Sequence, residues 1–175
     1  MSQGSGSLDD IRATLARLRE DYWRALEEDG RANAAGLEVL VARLGGQILG
    51  LPGVALREVL RVPPLVRVPG APATIAGIIS LRGEILAVND LRPLLGLAVE
   101  TGRGPGARLV LIEVAGQTAA LLVDEVIDLR RLAGDALEPA APRADGAPAF
   151  FQGRLPQPEG LLSLLDLDEV FSALQ

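Results

Sequence analysis

The chain has 175 residues, a formal net charge of −6, 49% hydrophobic residues and only 3% aromatic ones. That is enough chain for one substantial domain with a core of Val, Leu, Ile and Ala, too poor in aromatics to stack bases and too acidic to favour nucleic acid or an anionic membrane. It contains neither Cys nor His, which excludes disulfides, Cys/His zinc sites, Cys nucleophiles, histidine-dependent triads and any phosphohistidine role.

Every basic residue is Arg. No window approaches the roughly 20 apolar residues of a membrane span, and the polar, Gly/Ser-rich start at Met1 to Ser7 lacks the apolar core of a signal peptide. The expectation is a cytoplasmic protein with no direct membrane insertion.

Residues 1–36 read as a disordered leader, a helix and a linker. Leu8, Ile11, Leu15, Leu18, Tyr22 and Leu26 recur at three- and four-residue steps, with Ser7 or Asp9 as cap. Gly30 to Gly36 is rich in small residues and separates this amphipathic helix from a second unit, 37–175. There Leu37 to Leu44, Gly45-Gly46 and Gln47 to Leu51 predict a hairpin, and Val54 to Leu60 a short helix or strand. Pro63, Pro64, Pro69 and Pro72 hold the next stretch extended.

Ile75 to Leu81 and Ile85 to Val88 are apolar runs around Arg82-Gly83, a turn that needs positive φ. Apolar on both faces, this hairpin is expected to be buried on both sides. Asn89-Asp90 suits a helix cap, Leu91, Leu94 and Leu95 have helical spacing, and Gly96 suits a stop. Arg82 is expected at the surface or paired with a carboxylate such as Asp90. Beyond a Gly-rich loop at 100–106, Leu109 to Val114 and Ala119 to Val123 predict another hairpin, followed by Asp124 to Leu132. Residues 134–148 read as an exposed loop. Phe150 to Leu155 and Gly160 to Leu165 make a last strand pair, and Asp166 or Asp168 caps a short C-terminal helix ending near Leu174.

Short strands at regular spacing with Gly turns predict a mainly β fold of small barrels, leaving a sandwich open. Catalysis finds little support. Asp166-Leu-Asp168 superficially matches a phosphatase nucleophile motif, but only seven residues follow, so a helix cap is the better reading. Asp124-Glu125 lacks the spacing of a hydrolytic pair, and Gly102-Arg-Gly-Pro-Gly106 lacks the Lys-Ser/Thr of a phosphate loop.

Several motifs in order resemble the CheW-like coupling-protein family: Arg57-Glu58-Val59, Ser80-Leu81-Arg82-Gly83, Asp90-Leu91-Arg92 and Leu122-Val-Asp-Glu-Val126. Ser80 stands where the family usually carries Asn. The resemblance spans about 37–174 and implies two SH3-like five-stranded β-barrels. It also implies a non-enzymatic adaptor, without cofactor or metal, whose partners are the regulatory domain of a CheA-type histidine kinase and a chemoreceptor cytoplasmic tip. By the same resemblance Leu56, Glu58 and Arg82 fall in the receptor-contact region, while Gly83, Asp90, Arg92 and Asp124 are scaffold positions. The alternative is a divergent scaffold that recruits a different partner through its N-terminal helix.

Overall fold

Residues that alternate between two apolar environments cannot leave either face of a strand to water, and four strands of this chain are of that kind. The computed structural model describes residues 36–99, 103–140 and 150–175, together with Arg17. The chain divides at Gly36 into two units, and the described strands and helices belong almost wholly to the second, Leu37–Gln175. The expected leader, amphipathic helix and linker fall almost entirely outside the described residues, as do parts of the loops at 100–106 and 134–148.

Strands β1 (Gly36–Leu44) and β2 (Gln47–Pro52) form the first hairpin. A 3-10 turn, Gly53–Ala55, leads into β3 (Leu56–Arg61). Strands β4 (Ile75–Leu81) and β5 (Glu84–Asp90) form the central hairpin, and α1 (Arg92–Leu95) is a single turn closed by Gly96 at φ 71°. Strands β6 (Arg108–Val114) and β7 (Gln117–Val123) pair, and β8 (Glu125–Ala133) continues to the two-residue β9 (Glu138–Pro139). Strands β10 (Phe151–Gln157) and β11 (Gly160–Leu165) precede α2 (Leu167–Leu174), whose N-cap is Asp166, accepting from the Glu169 amide at 3.2 Å.

The strands assemble into two sheets, β8-β1-β2-β11-β10-β9 and β3-β6-β7-β5-β4. The mainly β expectation holds, with a sixth strand, β9, in the first sheet. That strand lies in the segment read as loop, where Ala and Pro hide a two-residue pairing to Gly153 and Arg154.

The sheets follow one plan. In each, a hairpin (β1–β2 or β6–β7) lies parallel to the last strand of a second hairpin (β11 or β5), and a lone strand flanks it. The hairpins are exchanged between the two parts of the chain: β1–β2 joins β8–β11 in the first sheet, and β6–β7 joins β3–β5 in the second, so β3 follows β2 but pairs with β6, and β8 follows β7 but pairs with β1.

This plan produces three core clusters. Val39 and Val41 face a core inside the first sheet with Ile48, Leu162 and Leu164. Leu109, Leu111, Ala120 and Leu122 face a core in the second with Ile79 and Val88. The alternate residues Leu40, Ala42, Leu44, Val110, Ile112, Leu121 and Val123 meet in a third core shared by the two sheets. Period-two alternation with both faces buried makes β1, β2, β6 and β7 continuous apolar runs.

The central hairpin differs from expectation. Ile79 and Val88 are buried, but Ile85 is 73% exposed. Its tip is not sandwiched because β5 pairs with β7 only from Val88 to Asp90, so the turn end of the hairpin projects beyond its neighbour and apolar content on both faces overstated burial. The expected cap is displaced by one residue: β5 runs through Asn89 and Asp90 and the N-cap position is Leu91, yet the Asp90 carboxylate still accepts from the Arg92 amide in the first turn of α1.

Candidate partner-docking site

β3 alternates inward Leu56, Glu58 and Leu60 with outward Arg57, Val59 and Arg61. A bulge between Leu56 and Glu58 shifts its register against β6, and bulges re-aim the side chains they carry. Glu58 is half-buried on the inward face. At the far edge of the same sheet, the β4–β5 turn carries Arg82 at φ 50° and Gly83 at φ 86°. Two successive positive φ values are what a type I′ hairpin demands. Gly83 meets that demand freely, whereas Arg82 does so at about 1 kcal/mol.

Arg82 Nη2 donates to Glu58 Oε2 at 2.8 Å, with the Arg82 side chain 71% exposed. The sheet therefore curls until its first and last strands are bridged by one ion pair. The sequence expectation of Asp90 as a partner for Arg82 is corrected: Asp90 is buried on the other side of the hairpin and is taken by Arg92. On the elements that the pair joins, Leu56 is half-buried and Val54 and Ile85 are exposed apolar side chains. An apolar surface with a directional, partly solvated guanidinium can grip a protein partner.

The first sheet repeats the device with its charges exchanged. Arg130 on β8 donates to Glu159 Oε1 in the β10–β11 turn at 2.7 Å, and Leu129 and Leu161 are exposed beside it. The hydrogen bond and charge of Arg130 lower the Glu159 pKa, and Glu159 raises that of Arg130. On the outward face of β3, Arg57 Nε donates to Glu113 at 2.9 Å, lowering the carboxyl's pKa.

Arg92, Asp90 and Asp124 come together beneath the hairpin. Arg92 donates from its backbone N–H to Asp90 Oδ1 at 3.0 Å and from Nη1 to Asp90 Oδ2 at 2.9 Å. Its Nη2 donates to Asp124 Oδ1. Burial on its own would lower the Arg92 pKa, and the two carboxylates outweigh it and raise it. Asp124 Oδ2 accepts from the Gly45 amide at 2.8 Å, and the Asp124 amide donates to Arg43 O at 2.9 Å. The triad thus ties β5 and the end of β7 to the β1–β2 turn, joining both sheets. Sequence motifs named these residues but carried no sign that Arg92 reaches both carboxylates, nor of the Arg130–Glu159 pair.

No cluster of metal-ligating side chains occurs among the described residues. Asp166 caps a helix, and Asp124 is occupied by Arg92 and two backbone groups. No described helix is long and apolar enough to cross a membrane.

The CheW-like domain model matches residues 38–175. The chain is similar to the chemotaxis protein CheW of Rhizobium meliloti (strain 1021), 32% identical over 139 residues that cover 78% of this chain and 88% of the relative. It is also similar to the protein FrzA of Myxococcus xanthus, 36% identical over 95 residues covering 54% and 59% of the two chains. Among solved structures, the scaffolding protein TtCheW from Thermoanaerobacter tengcongensis superposes with a TM-score of 0.68 at 28% identity, covering 75% of this chain and 85% of that one.

Proposed function

Because the chain belongs to the CheW-like domain family and is a chemotaxis coupling adaptor rather than an enzyme, we propose that it couples a CheA-type histidine kinase to the cytoplasmic tip of a chemoreceptor. In this reading Leu56, Glu58 and Arg82 meet the receptor's helical hairpin, and a separate face pairs with the kinase's own SH3-like regulatory domain. Gly83, Asp90, Arg92 and Asp124 hold that arrangement in place. The protein then works in the cytoplasm, recruited to membrane-associated receptor arrays.

The observation that carries this reading is the Glu58–Arg82 pair in its apolar surround: the guanidinium is oriented by a carboxylate yet 71% exposed. An adaptor needs such groups, held in place before the partner arrives and still able to donate. Two faces fixed on one rigid body let it set kinase–receptor geometry without doing chemistry.

The test is co-elution with a kinase regulatory fragment and a receptor-tip fragment. Wild type should form a ternary complex, and Arg82→Asn should keep the kinase and lose the receptor. A folded wild type that binds neither fragment overturns the coupling role for that pathway.

A further inference from the structure

The arginines of this acidic chain are segregated. Arg43, Arg57, Arg82, Arg92, Arg130 and Arg131 each have a carboxylate within ion-pairing distance. Arg61, Arg67, Arg103, Arg108 and Arg154 of the second unit have none among the described residues, and three of these, Arg61, Arg103 and Arg108, line one pocket of about 660 Å³. The pocket lies between the end of β3, Pro63-Pro64 and the segment leading into β6.

Arg61 and Arg108 are direct cross-strand partners in the β3–β6 register. Like charges placed opposite one another destabilise a strand pair, so an anion bound between them would relieve their repulsion. Arg108 is held in place through Nη1, which donates to the carbonyls of Pro105 at 3.2 Å and Ala107 at 2.8 Å. Its Nε and Nη2 have no acceptor among the described residues. Among the described residues, the lining contains no carboxylate to neutralise the cluster and no aromatic ring to stack a base. Arg103 also lines the adjoining cavity of about 350 Å³ with Arg67 and the paired Asp90 and Arg92, so that Arg67 and Arg103 extend the positive surface beyond the first pocket.

We propose that the Arg61–Arg103–Arg108 pocket binds a small, multiply charged oxyanion of the pyrophosphate class. Guanidinium forks pair bidentately with phosphoryl oxygens, and three of them around one cavity match a ligand that concentrates several negative charges in a few atoms. An extended acidic peptide spaces its carboxylates along a strand and would need apolar anchors. This pocket offers little beyond proline rings. The site is separate from the Leu56–Glu58–Arg82 surface, and its occupancy does not depend on receptor binding.

The test is calorimetric titration of the full chain with sodium pyrophosphate, with sodium sulfate at matched ionic strength and hexaglutamate as comparators. Saturable one-to-one binding of pyrophosphate is expected, weakened about tenfold or more by Arg61→Gln and by Arg103→Gln, since each removes charge-assisted hydrogen bonds. Arg154→Gln, which alters another arginine without an ion pair but outside the pocket, should bind like wild type. Arg103 lies outside the strands, so its variant reads the site even if the β3 change perturbs folding. Absent saturable binding, equal binding of sulfate, tighter binding of hexaglutamate, or equal weakening by Arg154→Gln would each overturn the assignment.

Discussion

Replacing Arg92 with Met should be among the most destabilising single changes outside the apolar core. The Arg92 side chain is 4% exposed and its Asp90 partner 10%, whereas Asp124 is 34% exposed. Met keeps much of the stem's packing and removes the charge, so the cost is dominated by the Asp90 carboxylate left buried and uncompensated. Breaking a buried pair by removing one partner costs about 3–5 kcal/mol. Asp124, reached by solvent and still bonded to the Gly45 amide, adds about 1 kcal/mol at most. For a domain of this size the sum corresponds to a fall in Tm of about 10–20 °C. Urea unfolding of wild type, Arg92→Met, Asp90→Asn and the double variant measures it. If the stranded charge is the cause, the double variant recovers most of the loss, because an Asn amide is cheaper to bury than a carboxylate. A single variant within 1 kcal/mol of wild type, or a double variant no better than Arg92→Met, would refute the reasoning.

Asn tolerates the left-handed conformation that Arg82 is forced into, so Arg82→Asn should leave stability unchanged or raise it by up to about 1 kcal/mol, read by thermal unfolding, while abolishing receptor co-elution. Gly153→Ala should release β9, because the new Cβ would lie 2.6 Å from the Glu138 carbonyl oxygen. Loss of amide protection at Ala140, which donates to Gln152 O, with a cost of about 1–3 kcal/mol, is the expected result. The Glu159 pKa is lowered in the folded chain, so its pair with Arg130 stabilises above the ordinary glutamate pKa and ceases to do so as pH falls through the lowered value. Stability–pH curves of wild type and Arg130→Gln should therefore separate near neutrality and converge in acid. Parallel curves throughout would show that the pair contributes nothing.

Features that are periodic or local were legible in the sequence. β1, β6 and β7 announce themselves because their odd and even residues enter different cores, and Asp166 and Gly96 because caps and stops are set by a few neighbouring atoms. The central hairpin looked equally apolar and misled, since periodicity cannot show where along its length a strand runs past its neighbour, as β5 does before Val88. Ile85 is exposed for that reason. Motifs singled out Glu58, Arg82, Asp90, Arg92 and Asp124, but pairing among them is a matter of long-range geometry. Glu58 and Arg82 lie on opposite edges of a curled sheet, and no local rule assigns Arg82 to Glu58 rather than to the nearer Asp90. Arg61 and Arg108 drew no notice at all, because only the β3–β6 register makes them neighbours.

The exchange of hairpins between the two sheets also governs how the chain can be made. During synthesis β3 emerges long before β6, so Leu56 must wait for Ile112 while the first half leaves the ribosome with an unfilled edge. Likewise β1 has no outer neighbour until β8 appears. Contacts this distant in sequence slow folding, and neither half holds all the strands of its own sheet. Cleaving the chain between α1 and β6 would therefore yield two pieces that each hold one hairpin of one sheet and the remaining strands of the other, competent to fold only by recombining. Acquisition of structure should be a single late event, with the two faces of the adaptor appearing together.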